Sequence, residues 1–374
     1  MLTTSVGRLA VPPPLAPAVY ARRPALDLPF PLDQPGCVLF ARGRHAIWHG
    51  IRALNLPPDA EVLVPAYHCG SEVEALLRAG VGCRFYEATD SLEPDEDELG
   101  QLLDERVVAL YLIHYLGFPQ DVLHWRRWCD ARNLLLIEDA AQGWFGMTDG
   151  RPMGSSGDLS IFTFYKTVGV PDGAALLQRE PLPPPAHRPS LRLATLAIRH
   201  AEWLLARSPR LTDLEDRLSH ELKRVHRGVD PAMSTTLLGD PDSPPSRMTS
   251  FLLPRLVDPA AAERRRTNYQ RLLEELGDVV ATPFATLPAG ACPWAFMVDT
   301  DDKQTFMERL LRHRIRGLDF WSAPHASLPA DQFPGAGALR SRLVGLPVHQ
   351  ELEERDLARL APAVRAALPQ LRTV

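Results

Sequence analysis

The sequence predicts an α/β protein with a large domain on a mostly parallel sheet and a smaller C-terminal α+β domain. The chain has 374 residues, which exceeds the usual size of one domain. Short apolar runs alternate with stretches of helical spacing through its first half. Prolines then cluster at residues 181–189 and 240–245 and interrupt the pattern. Together these observations predict two domains joined through proline-rich breaks.

The elements of the first half follow from periodicity. Residues 1–36 are rich in proline and lack a repeat, so we predict an extended N-terminal arm. A helix is predicted over 43–54, because Ala46, Ile47 and Ile51 recur at helical spacing. Strands are predicted over six apolar runs, with helices at 71–79 and 121–132 among them: 61–65, 83–86, 107–114, 134–139, 159–164 and 174–178. Strands separated by helices favour a parallel sheet that is covered on both faces.

The second half predicts a different mixture. Residues 190–227 predict one or two amphipathic helices, which we place within a large domain of residues 37–245. A small domain over 246–374 contains predicted helices at 259–276, 303–312 and 354–368 and predicted strands at 294–298 and 317–320.

Composition limits the classes of function. The net charge of −5 and the absence of a basic stripe make nucleic acid an unexpected partner. No apolar run approaches the ~20 residues of a membrane helix, and the N-terminus lacks an export signal, so we expect a cytoplasmic protein. Five scattered cysteines without a CxxC pair indicate neither a disulfide framework nor a metal site.

One lysine stands where catalysis is expected. Of 41 basic residues only Lys166, Lys223 and Lys303 are lysines. An arginine stays protonated, whereas a lysine amine can lose its proton and attack a carbonyl carbon. Lys223 and Lys303 lie in charged surroundings typical of surface helices, but Lys166 follows an apolar strand that enters a Gly/Pro loop. We therefore predict a catalytic role for Lys166.

An acid follows a second apolar strand. Glu138 and Asp139 come directly after the run 134–137. Ligands of parallel sheets bind beyond the carboxyl ends of the strands, so Asp139 and Lys166 can face one crevice. A lysine that forms a Schiff base and an aspartate that pairs with a pyridinium nitrogen are the two groups that pyridoxal phosphate requires. A helix N-cap or a solvated loop acid is the alternative role of such a residue.

The start of the first predicted helix offers a seat for a phosphate group. Gly43 opens this helix, and a helix N-terminus presents unpaired backbone N–H groups to an anion. Arg44 and His45 follow and could add positive charge to the seat, or could equally face solvent.

Several motifs resemble those of one enzyme family. Residues 137–142 read Ile-Glu-Asp-Ala-Ala-Gln, identical to IEDAAQ. Residues 59–66 are similar to GDEVIVP, 113–121 to VHLYGQPAD, and 154–164 to GSLGDIAxFSF just before the lysine. Residues 323–325 and 346–349 resemble the motifs P-x-H and LPLHP. These are motifs of the DegT/DnrJ/StrS aminotransferases, which the chain resembles strongly over 40–178 and weakly over 246–374.

The resemblance implies the aspartate aminotransferase-like fold, fold type I of the pyridoxal phosphate-dependent transferases, and assigns roles at matching positions. Lys166 would hold the cofactor as a Schiff base and Asp139 would pair with its ring nitrogen. Gln142 would contact the ring substituents or the substrate, while Gly43 and Thr163 match the phosphate-binding positions. His325 would lie near the substrate entrance. The family also implies a homodimer with the site at the subunit interface.

The chain departs from the family at several positions. Arg44 replaces a threonine, so the phosphate would gain a charge-assisted contact, and we include His45 in the same seat. Cys69 or His68 stands where most members stack an aromatic ring on the cofactor; we assign Cys69 to the cofactor and His68 to the substrate. Pro245 replaces an asparagine that reaches the neighbouring subunit, and residues 181–244 have no counterpart.

Three hypotheses for function follow. The first is an aminotransferase that moves an amino group from an amino acid, with glutamate expected, to a nucleotide-linked keto-sugar in glycan or secondary-metabolite biosynthesis. The second is a pyridoxal phosphate enzyme of the same fold with a different reaction on a non-sugar substrate. The third is a non-catalytic regulator, which the intact Lys166 and Asp139 disfavour.

Overall fold

The N-terminal arm packs against its own chain. The computed structural model describes residues 7–180, 182–212 and 237–368. Strand β1 (Leu9–Ala10) pairs in parallel with strand β12 (Ile315–Arg316) near the other end of the chain. A 3₁₀ turn at Pro17–Ala21 then buries Val19 in the core. The arm predicted over 1–36 is therefore anchored to the rest of the chain at β1 and at Val19.

The large domain is built on a seven-stranded sheet. Its strands are β2 (Cys37–Phe40), β3 (Glu61–Pro65), β4 (Gly82–Tyr86), β5 (Val107–Ile113), β6 (Leu135–Asp139), β9 (Leu159–Thr163) and β10 (Ala174–Gln178). They lie in the order β2-β10-β9-β6-β5-β3-β4. β10 pairs antiparallel with both of its neighbours, and the other pairings are parallel. The prediction of a mostly parallel sheet is confirmed.

Helices cover both faces of this sheet. One face packs on α1 (Gly43–Ala53) and α2 (Ser71–Ala79), and the other on α3 (Glu96–Leu102) and α4 (Val122–Asp130). β5 shows why both faces are apolar: Tyr111 belongs to the first core cluster, whereas its neighbours Leu110 and Leu112 belong to the other. Side chains alternate along a strand, so a strand covered on both sides needs an unbroken apolar run.

A hairpin and two further helices adjoin the large sheet. β7 (Met147–Thr148) and β8 (Arg151–Pro152) form the hairpin, and α5 (Leu193–Arg207) follows the sheet in sequence. The predicted helical segment 190–227 is thus seen in its first part, while residues 213–227, including Lys223, lie outside the described residues. α6 (Arg247–Leu256) contributes Leu252 and Leu253 to the core cluster of Phe162 and Phe164.

The C-terminal part contains a three-stranded antiparallel sheet in the order β11-β14-β13. The strands are β11 (Ala295–Asp299), β13 (Leu318–Asp319) and β14 (Leu343–Pro347), and the helices are α7 (Ala261–Leu276), α8 (Lys303–Arg312), α9 (Pro334–Arg342) and α10 (Glu354–Ala367). Its apolar side chains share one core cluster with the α1–α2 face of the large sheet. The domain boundary proposed at 245–246 stays a prediction.

One lysine lies in an environment different from the predicted one. Lys303 was expected on a charged surface, but its side chain is only 9% exposed. Its Nζ donates to the Arg340 carbonyl at 2.8 Å and pairs with Asp319. The prediction of a surface lysine is wrong because β13 and α9 cover the amine. Across residues 7–180, 182–212 and 237–368, no helix combines the length and the hydrophobicity needed to cross a bilayer.

Candidate active site

A cleft opens at the carboxyl ends of β3, β5, β6 and β9, where the parallel strands of the sheet finish. It contains about 460 Å³ of empty space. Both Asp139 and Lys166 line it, as the sequence predicts for two residues that follow separate strands. The other described lining residues include Arg42, Gly43, Arg44, Cys69, Ser71, Glu72, Gln142, Thr163, Tyr165 and Trp321.

Asp139 is held in one orientation at the end of β6. Its Oδ2 accepts a hydrogen bond from the Tyr111 hydroxyl at 2.6 Å, and its Oδ1 accepts one from the Ala141 backbone N–H at 2.8 Å. Burial raises the pKa of Asp139, against the opposing effects of the Tyr111 hydroxyl and the Lys166 amine. The carboxylate is thus preorganised to face a cationic partner in the cleft.

Glu138 serves the structure rather than the cleft. Its carboxylate is fully buried and accepts bonds from His114 Nε2 at 2.9 Å and from the backbone N–H groups of Gly154, Ser156 and Gly157 at 2.6–2.9 Å. Burial alone would raise the pKa of Glu138, but these donors hold it below its ordinary value. Glu138 therefore anchors the loop that leads into β9.

Lys166 lies in the turn after β9 and borders two spaces. Its Nζ is 5.1 Å from the ring centroid of Trp294, which comes from the C-terminal part of the chain. Besides the cleft, it lines a wider opening of about 810 Å³ that we call the outer groove, bounded by Pro12, Arg42, Tyr165, Lys166, Pro171, Thr195, Ile198, Arg199, Glu202 and Trp294. The amine can thus be approached from outside while it faces the cleft.

The N-terminus of α1 borders the cleft, as predicted for the phosphate seat. No side chain caps this helix, and Gly43 packs against Thr163: a Cβ on Gly43 would come within 3.1 Å of Thr163 Cγ2. The Thr163 hydroxyl donates to the Ala141 carbonyl at 2.6 Å. A side chain at position 43 would crowd Thr163, and Gly43 and Arg44 place the N-terminal turn of α1 at the edge of the cleft.

Arg44 and His45 differ in their placement. Arg44 lines the cleft, while its Nε donates to the Leu238 carbonyl at 3.0 Å. His45 is buried, contacts the same carbonyl through Nε2 at 2.9 Å and is absent from the described cleft lining. Burial lowers the pKa of His45 to about 4, so its ring is neutral. The structure does not bring His45 to the predicted seat because the ring faces the segment around Leu238.

The loop after β3 and the first turn of α2 together supply an acidic wall that the motif comparison missed. Glu72, only 3% exposed, accepts hydrogen bonds from the Cys69 backbone N–H at 3.0 Å and from the Cys69 thiol at 2.7 Å. The Cys69 Sγ also lies 2.9 Å from the Ser71 hydroxyl. Cys69 therefore reaches the cleft, as predicted, but as half of a thiol–carboxylate pair.

The predicted substrate histidines lie behind this wall. The buried His68 donates through Nδ1 to the Pro65 carbonyl at 2.9 Å, and its Nε2 accepts from the His325 backbone N–H at 3.5 Å. Burial lowers the pKa of His68 to about 4. His325 contacts Glu74 through Nε2 at 3.3 Å. Neither ring belongs to the described lining of the cleft, because each is hydrogen-bonded to another group of the protein instead.

Three more residues complete the cleft. Gln142 lies where predicted, and its Oε1 accepts from the Leu116 backbone N–H at 2.8 Å. Arg42 and Trp321 were not predicted. The Arg42 guanidinium lies 4.9 Å from the Tyr165 ring centroid, and Trp321 stacks on Phe320 with centroids 4.2 Å apart. The run of two aromatics at 320–321 was the one sequence signal that could have indicated Trp321.

The fold and the lysine–aspartate cleft match one known architecture. A parallel α/β sheet that carries such a pair at its carboxyl edge is the architecture of the pyridoxal phosphate-dependent transferases of fold type I. Among solved structures, a sugar aminotransferase from Streptococcus pneumoniae in its PLP form superposes with a TM-score of 0.64 at 14% identity, over 96% of this chain and 98% of that one. The predicted fold class is confirmed.

One segment of the chain matches the family that the motifs resemble. Residues 32–181, which contain Gly43, Asp139 and Lys166, match the DegT/DnrJ/EryC1/StrS aminotransferase family. GDP-perosamine synthase of Vibrio cholerae is 26% identical over 140 residues, which is 37% of this chain and 38% of that protein. The 3-oxo-glucose-6-phosphate:glutamate aminotransferase of Bacillus subtilis is 32% identical over 134 residues, 34% of this chain and 29% of that one. The matched segments thus span less than two fifths of these relatives.

Proposed function

We infer that the protein is an aminotransferase that uses pyridoxal phosphate to aminate a keto-sugar. The observation that carries this inference is the placement of Asp139 and Lys166 in one cleft at the carboxyl edge of the sheet, within the segment that matches the family. An amino acid, with glutamate expected, is the donor. The acceptor is a keto-sugar, with a nucleotide-linked one expected.

The residues present fit the cofactor. Gly43 leaves a cradle against Thr163 that a Cβ would fill, at an uncapped helix N-terminus suited to a phosphate group. Asp139, fixed by Tyr111 and Ala141, offers a carboxylate for the ring nitrogen. Lys166 supplies the amine for the Schiff base. Pyridoxal phosphate, when bound there, supplies an electron sink for the bonds at the carbon that carries the amino group.

Different side chains of the cleft would assist the reaction in different ways. The Asp139 carboxylate would favour a protonated ring nitrogen, since an opposite charge close by favours the charged form of a titratable group. The Lys166 Nζ would be the base that accepts and returns a proton during the transfer. Arg42 and Arg44 offer guanidinium groups to anionic parts of the cofactor and of the substrate. Trp321 narrows the cleft and helps to exclude water.

The relatives support the acceptor class without fixing the molecule. GDP-perosamine synthase is named for a nucleotide-linked sugar, whereas the Bacillus subtilis relative is named for a sugar phosphate and glutamate. Both kinds of acceptor carry phosphate, which matches the arginines of the cleft and of the outer groove. A nucleotide-linked keto-sugar stays our first expectation and a keto-sugar phosphate the alternative.

Purified protein loaded with pyridoxal phosphate provides the test. We expect a yellow protein in which borohydride fixes the cofactor on Lys166, as peptide mass spectrometry would show. Glutamate alone should bleach the colour and release 2-oxoglutarate. Lys166→Ala should abolish both fixation and turnover, whereas Lys303→Ala, the matched control, should retain fixation at Lys166. Full turnover in Lys166→Ala would overturn the proposal. An unchanged spectrum with glutamate and other amino donors would favour a different reaction on the same cofactor.

The proposed assembly is a homodimer that closes the outer groove. Lys166, Arg42 and Trp294 border this groove, so a covering subunit would shield the amine from water. α5, which lines one side, exposes Leu193 at 58%, Ile198 at 57% and Leu204 at 44%. Three large apolar side chains on one exposed helix are typical of a surface that another subunit covers.

A further inference from the structure

One wall of the cleft consists of a thiol, Cys69, that is hydrogen-bonded to a buried carboxylate, Glu72. A cysteine sulfur lies in the same cleft as Lys166, and both carboxylate oxygens of the buried Glu72 accept hydrogen bonds from Cys69. The thiol hydrogen is directed to Glu72 Oε2 at 2.7 Å. α2 begins at Ser71, so Glu72 belongs to its first turn, where a carboxylate is stabilised by the helix dipole.

The charges around Cys69 come from several elements. Glu72 on α2 opposes ionisation of the Cys69 thiol. Three cations favour ionisation: Lys166 after β9, Arg44 on α1 and Arg340 on α9. Tyr111 on β5 also faces the sulfur. Burial and then Glu72 raise the pKa of the Cys69 thiol to about 12. Burial and the adjacent carboxylate thus outweigh the neighbouring cations.

A free thiolate at this place would compete with Lys166. The cofactor presents an aldehyde carbon that must react with the lysine amine. A thiolate could add to the same carbon: an S–C bond would form, the carbonyl π electrons would move to oxygen, and that oxygen would take a proton, with no change of oxidation state. Thiolates are strong nucleophiles near neutral pH, whereas protonated thiols are not. A cysteine beside an aldehyde must therefore remain a protonated thiol if it is not to react with that aldehyde.

We propose that Glu72 is a positioning residue that acts through Cys69: it keeps the thiol protonated and fixes the sulfur as an inert wall of the cofactor cleft, so that Lys166 alone captures the aldehyde. The proposal depends on the proposed function only for the identity of the aldehyde. The state of the thiol is a property of the protein without cofactor, so the two can fail separately.

Alkylation of the cofactor-free protein measures the state of the thiol. Iodoacetamide is added between pH 7 and 10, and peptide mass spectrometry gives the rate at each cysteine. We expect the Cys69 rate to rise about tenfold per pH unit without a plateau, because the thiolate fraction follows pH below the pKa. A plateau at or below pH 9 would overturn the proposal.

Glu72→Gln keeps the shape of the side chain and removes its charge. At pH 8 we expect the alkylation rate of Cys69, relative to that of Cys37, to rise about three- to tenfold, since the gain in thiolate is partly offset by its lower nucleophilicity. Cys37 is the internal reference, because its pKa is raised by burial and Asp33 rather than by Glu72. Glu72→Asp, which restores the charge, should return the ratio toward that of the native protein. An unchanged ratio in Glu72→Gln contradicts the proposal.

A second readout uses the aldehyde itself. In Lys166→Ala, added pyridoxal phosphate should keep the absorption of a free aldehyde, because the thiol stays protonated. In Lys166→Ala/Glu72→Gln that absorption should fall, and adding Cys69→Ser should restore it. Persistence of the aldehyde in the double variant contradicts the proposal. If Glu72→Gln unfolds, the buried Cys129 and Cys292 will also be alkylated, and the pH profile of the native protein then decides.

Discussion

Glu138 and Asp139 are adjacent acids with different roles, because successive side chains of β6 leave opposite faces of the sheet. Asp139 faces the cleft with one hydroxyl and one amide as partners, so its charge remains available to a ligand. Glu138 faces the loop before β9 and is saturated by four donors. The motif IEDAAQ thus combines an acid that lines the cleft with an acid that anchors a loop.

Glu138→Gln tests the structural role. The substituted amide would turn an N–H₂ group toward two or more of the four donors, so we expect a loss of about 2–4 kcal/mol in the free energy of unfolding at pH 7, measured with urea. The pKa of Glu138 is depressed in the folded protein, so its contribution is present above its unfolded pKa and disappears as pH falls through the folded pKa. The difference between the two proteins should therefore shrink below about pH 4. The control is Glu96→Gln, an exposed acid that should change stability by less than about 0.5 kcal/mol.

At the scale of elements, one arginine connects the C-terminal part to the cleft wall. Arg340 on α9 is 6% exposed and donates to the carbonyls of Ala66 at 2.7 Å, His68 at 2.9 Å and Trp321 at 2.6 Å. The first two belong to the loop that carries Cys69, and the third to the cleft. The position of this wall therefore depends on an element almost at the other end of the chain.

Arg340→Ala should destabilise the loop that carries Cys69. Three buried carbonyls would lose their donor, so we expect a loss of about 2–4 kcal/mol in the free energy of unfolding and faster amide hydrogen exchange over residues 66–72. Arg342→Ala is the control: Arg342 is an exposed residue two positions away that pairs with Asp299, and its loss should cost less than about 1 kcal/mol without changing exchange in that loop. Equal effects of the two substitutions would contradict the assigned role of Arg340.

The elements also show what the sequence could reveal. β3, β5, β6, β9 and β10 were predicted within about one residue, since each is a continuous apolar run. β14 was not predicted, because Gly345 and Pro347 are residues that usually interrupt strands. α6 was not predicted either, because Pro254 interrupts its helical pattern and a pair of prolines precedes it. Their apolar side chains find partners only in the tertiary structure.

The same distinction applies within the site. Asp139, Lys166, Gln142, Thr163, Gly43, Arg44 and Cys69 were predicted and line the cleft, because each lies at or just beyond the end of a predicted element. Glu72 and Trp321 were missed, since their approach depends on how α2 and the C-terminal part pack. His45, His68 and His325 lie elsewhere because their rings meet groups of their own chain, which periodicity cannot reveal.

For the whole molecule, the open side of the outer groove is the feature that calls for a second subunit. The groove brings Lys166 close to solvent, while α5 beside it exposes apolar side chains. A water-accessible Schiff base would lose reactive intermediates to hydrolysis, which closure of the site prevents. Assembly and chemistry would therefore depend on the same surface.

Ile198→Asp tests this dependence. We expect sedimentation analysis to find a dimer of the native chain and a shift toward monomer in the variant, because a buried unpaired carboxylate costs several kcal/mol at an interface. Turnover should fall with the dimer fraction and recover at high protein concentration. Leu311→Asp, on α8, replaces a leucine that is 41% exposed and should leave the dimer intact. A native chain that is monomeric at all concentrations would refute the proposed assembly.

The pairing of β1 with β12 also governs when the molecule can finish folding. Leu9 and Ala10 leave the ribosome long before their partners Ile315 and Arg316, which lie far along the chain. The arm must stay unattached for most of that interval, and closing so long a loop delays docking further. Docking of β1 should therefore be a late step in the folding of this protein.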